Sequence, residues 1–279
     1  MVLNFKCLVW ALYMTLILCR VDRTEQCTAA TSSWANISGR LKHVSVGKGG
    51  VWGVNSGDNI YYRTCTHGYE EGCDTWERVN GGLKQLDVGH NVVWGVNSNN
   101  NIYYRQGIAT SKPTGTSWVK ISGSLKHVSV SQNGHVWGVN SNDNIFHRIG
   151  ASNSNRGGSS WTQISGGLKQ VSVGSGGVWG VNSGGNIYYR VGTYGDPVSD
   201  PDGSSWTHVS GGLSYISSAD LIYGVNSGGN IYYRLGVTAA APTGTGWQQI
   251  SGGLKQIESL TSIVWGVNSN DNIYKKKTD

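Results

Sequence analysis

Apolar residues along this chain come in short bursts that alternate with polar ones, and the bursts recur in sets of four. The set that begins at Trp161 is representative: WTQIS (Trp161 to Ser165), LKQVSVG (Leu168 to Gly174), VWGVNS (Val178 to Ser183) and NIYYR (Asn186 to Arg190). A period of two over five to seven residues is the pattern of a half-buried strand. Gly-Gly and Asn-Ser-Gly clusters between the bursts supply hairpin-turn chemistry. No stretch of ten or more helix-forming residues interrupts them. Tryptophans 34, 76, 118, 161, 206 and 247 each open one set, and a variable loop closes it.

Repeats of roughly forty residues, rich in β-branched and aromatic side chains, predict propeller blades. Strands this short bury little alone, and stacking them radially gives one continuous core. The expected fold is all-β: a six-bladed propeller with four-stranded blades. The LKQVSVG strand should lie nearest the axis and WTQIS at the rim, each blade borrowing its outer strand from the next repeat. The last copy, VWGVNSNDNIYKKKTD, has no sequel to borrow from, while Trp34 to Ser38 belongs to no preceding blade. Pairing the two closes the ring and leaves no open edge. Strand alternation puts Trp179 and Val181 toward one neighbouring blade and Gly180 toward the other. The expectation is that each such Trp fills the gap left by a Gly of the adjacent blade, so that Gly180→Leu destabilises the fold.

Composition adds detail at the N-terminus. Lys6 precedes LVWALYMTLILC, an apolar run too short to span a bilayer comfortably, and polar RVDRTEQ follows. Residues 1–19 read as a secretory signal peptide, 20–33 as an extension and 34–279 as the propeller; a retained anchor is the competing reading. Export suits the cysteines. Cys65 and Cys73 bracket a short loop and are expected to form a disulfide, since only His67 is near enough to help build a zinc site. Cys27 is left as a free thiol or as the link of a homodimer. Asn36-Ile37-Ser38 is a glycosylation sequon. The formal charge of +6 fits anionic partners or simply solubility.

The repeated W-x-x-[IV]-S-G-x-L-K-x-[VIL] followed by [VI]-[WY]-G-V-N-S-x-x-N-I-[YF] resembles the tectonin repeat of fish-egg lectins and the horseshoe-crab tachylectin/L-6 lectins. The likeness runs from about residue 34 to residue 276. It implies a β-propeller and, for secreted animal members, binding of N-acetylglucosamine-type sugars and bacterial lipopolysaccharide in egg or innate defence. The fifth repeat departs from the pattern, with Ser214 for Lys and Tyr223 for Trp. His147 and Lys275 break the paired tyrosines of repeats three and six.

The VNSxxN and SGGL turns should share one face of the disc. The variable connections, such as Lys48 to Gly50 and Val191 to Ser205, should share the other. Three residue classes recur where a repeated sugar site would lie. They are Lys42, Lys84, Lys126, Lys169 and Lys255; Asn55, Asn97, Asn140, Asn182, Asn226 and Asn268; and Trp52, Trp94, Trp137, Trp179, Tyr223 and Trp265. An aromatic ring packs on the C–H face of a sugar while amide and ammonium groups bond its hydroxyls. Each class also has a structural reading: the aromatics as core, the asparagines as turn chemistry, the lysines as a solvated rim. Several weak sites on one disc would act together through avidity.

Catalysis is not expected. Glycoside hydrolysis, the chemistry of six-bladed sialidases, needs a positioned carboxylate pair. Asp58, Asp143 and Asp271 instead occupy turn positions that other copies fill with Asn or Gly. The stretch Ser199 to Trp206 resembles a sialidase Asp-box with its Asp one place off. An intracellular protein-binding scaffold is the alternative function. No cofactor is expected; Asp196, Asp200 and Asp202 offer only a weak calcium candidate. Neither nucleic-acid binding nor membrane insertion is expected.

Overall fold

The structure is a computed structural model, and it describes residues 33–68, 72–198 and 201–278. The signal peptide, Cys27 and Asp200 fall outside the described residues. Six antiparallel four-stranded sheets stand in a ring. Blade 1 runs outward from the inner strand His43–Gly47 through Gly50–Val54 and Asn59–Arg63 to the outer strand Trp76–Gly82. The same order repeats from inner strands that begin at Gln85, His127, Gln170, Tyr215 and Gln256. The strands of the fourth repeat match expectation to within two residues. Asn182 and Ser183 leave the strand because the Asn182 side chain caps the turn, its Oδ1 accepting the Asn186 backbone N–H at 2.9 Å.

Ring closure follows the expected scheme. The outer strand of blade 6 is Ala35–Arg40, paired antiparallel with Asn272–Lys277, with Ile37 opposite Ile273. The junction has an apolar core of its own: Ile37, Leu41, Val44, Trp265 and Ile273 belong to one buried cluster across it. Asn36 lies exposed on that strand, which leaves the sequon accessible.

The packing partner of the VWGV glycine differs from the expected one. Gly180 does face the preceding blade, but a Cβ placed there would lie 2.4 Å from Leu168 Cδ1. The gap is therefore filled by the Leu of the same repeat, and Trp137 of blade 3 packs outside it among Leu168, Val171 and Val173. A leucine at position 180 has no room, for this reason and not because of a neighbouring Trp. Trp179 points to the next blade and packs on Leu213, Ile216 and Ile222.

A Trp–Gly fit exists elsewhere, at the rim. Trp76 Nε1 donates to the Ser38 carbonyl at 2.8 Å, and a Cβ on Gly39 would stand 3.2 Å from that nitrogen. Gly39 has φ of 115°, a region in which other residues are strained. Trp118, Trp161, Trp206 and Trp247 each dock in the same way on the Ser-Gly or Asn-Gly step of the repeat before. Trp34 makes the same contact on Ser251, 217 residues away along the chain. The opening W and the following SG of each repeat are thus two halves of one inter-blade lock. From within the blade an arginine backs five of these six indoles, all but Trp34, with Arg63 over Trp76 at 5.4 Å and Arg148 over Trp161 at 5.2 Å.

Both faces of the disc carry the expected turns. The Leu83 N–H donates to the Asp58 carbonyl, joining the SGGL and VNSxxN turns on one face. Gly68 and Gly195 bond Lys48 and Ser175, joining the variable loops to the hairpins of the other face. Cys65 and Cys73 form a disulfide in the first of these loops. Among the described residues no helix is long and apolar enough to cross a membrane.

Candidate functional site: six clefts at the rim

The structure places the three expected residue classes in three different settings. Trp52, Trp94, Trp137, Trp179 and Trp265 are at most 1% exposed and Tyr223 is 5% exposed, so none of these rings can stack on a sugar from solvent. They are core, as repetition at a strand-interior position permits. The asparagines serve the turns: Asn55 Oδ1 accepts the backbone N–H of Gly57 at 3.0 Å and of Asn59 at 2.9 Å. Asn97, Asn140, Asn226 and Asn268 repeat this double bond, and Asn182 makes the second half of it. That occupies the oxygen and leaves the side-chain NH2 to donate.

The lysines lie between these extremes. Lys42, Lys126 and Lys255 each bind the turn carboxylate of their own repeat, Asp58, Asp143 and Asp271, and Lys84 binds Asn100 in the same way. Those four turn residues have φ near 62°, which explains why the other repeats carry Gly185 and Gly229 there. Ser98 and Ser183 of the following blades also donate to Asp58 and Asp143. At Asp143 the Lys126 and Ser183 bonds hold the carboxyl below its ordinary range. At Asp58 burial pushes the other way, yet the bonds from Lys42 and Ser98 prevail. These links stitch neighbouring turns together, and Lys169, opposite Gly185, has no carboxylate in its own turn.

Half-buried aromatics sit instead in the clefts between outer strands. Each cleft pairs the opening Trp of a repeat with the first aromatic of the preceding NIYY: Tyr61 with Trp76, Tyr103 with Trp118, Phe146 with Trp161. Tyr188 with Trp206, Tyr232 with Trp247 and Tyr274 with Trp34 complete the ring, every member half-buried. At the junction of blades 6 and 1 the cleft measures about 220 Å³ and is lined by Arg40, Leu41, Asn55, Tyr61 and Trp76. Two rings, a turn amide and the rim of an apolar floor are what a pyranose needs: a C–H surface to cover and hydroxyls to bond. Sequence reasoning missed these residues because the buried VW tryptophans competed for the same role. The signal was present in the alternation of WTQIS, which sets Trp161 on the face opposite buried Ile164.

A second concavity lies on the axis among the variable loops, about 230 Å³, with Asp87, Asp196, Asp220 and Glu258 in its wall. Its carboxylates are already engaged. Asp87 accepts from Ser45 Oγ at 2.6 Å and Val130 N at 2.7 Å, and Glu258 from Tyr215 Oη at 2.8 Å. Asp196 meets His135 at 2.6 Å, Asp202 pairs with His147, and Ser175 donates to Asp220. Among the described residues no cluster of three or more His, Cys, Asp or Glu side chains is arranged to hold a metal.

Comparison with known proteins places this geometry in a family. None of the curated proteins matches the chain. Solved structures share the fold at low identity. One is a Bacteroides thetaiotaomicron protein of unknown function, with a TM-score of 0.56 and 12% identity over 88% of this chain and 72% of that one. Human WBSCR16 gives 0.54 at 10% identity, over 86% and 77%. The propeller domain of Myceliophteria thermophila Cps50 (Swd1) gives 0.54 at 6%, over 86% and 84%. The family model described as the Tectonin domain matches residues 12–125, 116–258 and 193–279. The chain therefore belongs to the tectonin family and is a propeller of the lectin or protein-interaction kind.

Proposed function

We propose that this protein is a secreted, multivalent and non-catalytic lectin for microbial or egg-envelope glycans, N-acetylglucosamine-type sugars and lipopolysaccharide among them. The observation that carries the reading is the sixfold ring of half-buried Trp and Tyr or Phe pairs in the inter-blade clefts. One shallow cleft of this kind binds a monosaccharide weakly. Six on a rigid disc raise avidity by roughly 10²–10⁴ on a surface that presents the sugar densely. Export rests on the apolar N-terminal run and on the Cys65–Cys73 disulfide.

The non-catalytic part rests on the state of the acids. Burial, and then the charge of Asp87, pushes the Glu258 carboxyl well above its ordinary range. Both side chains are bound by protein donors and stand away from the aromatic clefts. A glycan array with the secreted protein tests the reading. Binding to dense N-acetylglucosamine-type or lipopolysaccharide glycans is expected; no binding to any glycan at any density would leave the protein-scaffold alternative.

A further inference from the structure

The six clefts share their aromatic walls but not their charge. In the cleft between blades 6 and 1, Arg40 stands where the other repeats have Gly82, Ser124, Gly167, Gly212 and Gly253. Its side chain lines the cleft beside Tyr61 and Trp76. One nitrogen, Nη1, donates to the Asn270 carbonyl at 2.9 Å, which anchors the group and leaves its other N–H donors to offer. A second arginine lies on the blade 1 side, on the sheet face that carries Tyr61 and Trp76. Arg78 lies two residues beyond Trp76 on the same strand face and is the register partner of Tyr61. Its Nη2 bonds Asn59 Oδ1 at 2.8 Å, so it too is held in place and exposed. The residues equivalent to Arg78 are Lys120, Gln163, His208, Gln249 and Asn36, each opposite the aromatic of its own cleft.

Nearby acids do not cancel this pair. Asp58 is held by Lys42 and Ser98, and Asp271 by Lys255. Glu77 belongs to the other face of its strand, opposite Tyr62. Two guanidinium groups flanking a sugar-sized aromatic cleft form a recognition site for a planar anion on a pyranose, since the arginine fork matches a carboxylate. We propose that the cleft between blades 6 and 1 selects a sugar bearing a carboxylate, whereas the other five take neutral sugars. This rests on the glycan-binding reading and specifies one of its sites.

The indole N–H signals of ¹⁵N-labelled full-chain protein report each cleft separately, because each has its own outer Trp. Titration with methyl glucuronide and methyl glucoside compares two ligands that differ only in the carboxylate. Trp76 is expected to respond to the glucuronide at a concentration about tenfold lower than to the glucoside, as one or two charge-assisted bonds warrant. Raised salt should shrink that gap. Arg40→Ser, which copies repeat three, and Arg78→Gln, which copies repeats four and six at that position, should each reduce it while the other five outer indoles respond as before. Equal responses of Trp76 to both sugars, or a preference that survives both substitutions, would overturn the assignment and leave the lectin reading standing. Silence of all six indoles to both sugars, and to the best glycan of an array, would overturn both.

Discussion

The inner strands and the outer strands come from the same six repeats, yet they use repetition in opposite ways. At the rim every copy does the same thing: a Trp docks on the Ser-Gly or Asn-Gly step before it and shares a cleft with one Tyr or Phe. At the axis the copies diverge. The first axial layer reads His43, Gln85, His127, Gln170, Tyr215 and Gln256, an alternation with threefold character. Each Gln pairs both ends of its amide with the backbone of the next inner strand. Gln85 binds Val128 N and O at 3.0 and 2.8 Å, Gln170 binds Ile216, and Gln256 binds Val44. The other three converge, with His43 and His127 at 3.1 and 3.3 Å from the Tyr215 hydroxyl, which donates to Glu258.

The difference has a geometric cause. Clefts at the rim are far apart, so six identical solutions do not collide. Side chains on the axis all meet, and six identical copies of a long polar residue would leave donors facing donors. Divergence into bridging and central residues gives every one of the six side chains a hydrogen bond, though His43 Nδ1 and His127 Nδ1 stay buried without a partner. Burial then leaves its mark on their protonation. His127 is lowered to about 3, His43 falls well below its ordinary value by burial and then by the charge of His127, and burial raises Tyr215.

The largest expected effect breaks the rim where it closes. Removing residues 34–38 takes away Trp34, its lock on Ser251 and the Ile37 contact with Ile273, and exposes the edge of blade 6. A loss on the order of 5 kcal/mol is expected from the apolar area and the ladder bonds together. Denaturant unfolding measures it, and protection of Asn272–Lys277 amides from hydrogen exchange should fall first. Unchanged stability would mean that the ring does not depend on this pairing.

A smaller effect separates the axis from the rim by pH. The histidines are bases whose folded pKa is lowered, so the unfolded chain binds more protons than the folded one between about pH 3 and 6.5. Their contribution is therefore full above that window and is lost as pH falls. Glu258 and Asp87, raised by burial, act in the opposite sense and lose their contribution as pH rises above the ordinary carboxylate range. His127→Gln, which copies the alternate blades, should cut the loss of stability between pH 7 and pH 5 by about 2 kcal/mol. A rim substitution such as Trp118→Ala should leave the pH dependence as it is. An axis variant with the original pH slope would refute the buried neutral histidine.

Much of this architecture was legible beforehand. Trp spacing gave the number of blades, and the unmatched Trp34 strand opposite the unfinished final copy gave the closure. Pattern alone did not reveal which is buried, the Trp that opens each repeat or the Trp or Tyr of its VWGV strand. Both alternate with apolar neighbours, and only the path of the next blade decides which one is covered. The same holds for Gly180, where alternation fixed the direction but not that Leu168 fills the space. The axial network was the least legible part, since contacts such as His43 with Tyr215 join residues 172 apart along the chain. Arg40 was visible as a departure from SGG, but its meaning needed the cleft that it lines.

A crystal structure of the full chain with the glycan that binds most tightly on an array tests the central claim most directly. The account predicts sugar rings seated between outer tryptophans and the first aromatics of NIYY, in more than one inter-blade cleft. Sugar found only in the axial cavity or among the variable loops, with those aromatics uncovered, would contradict it.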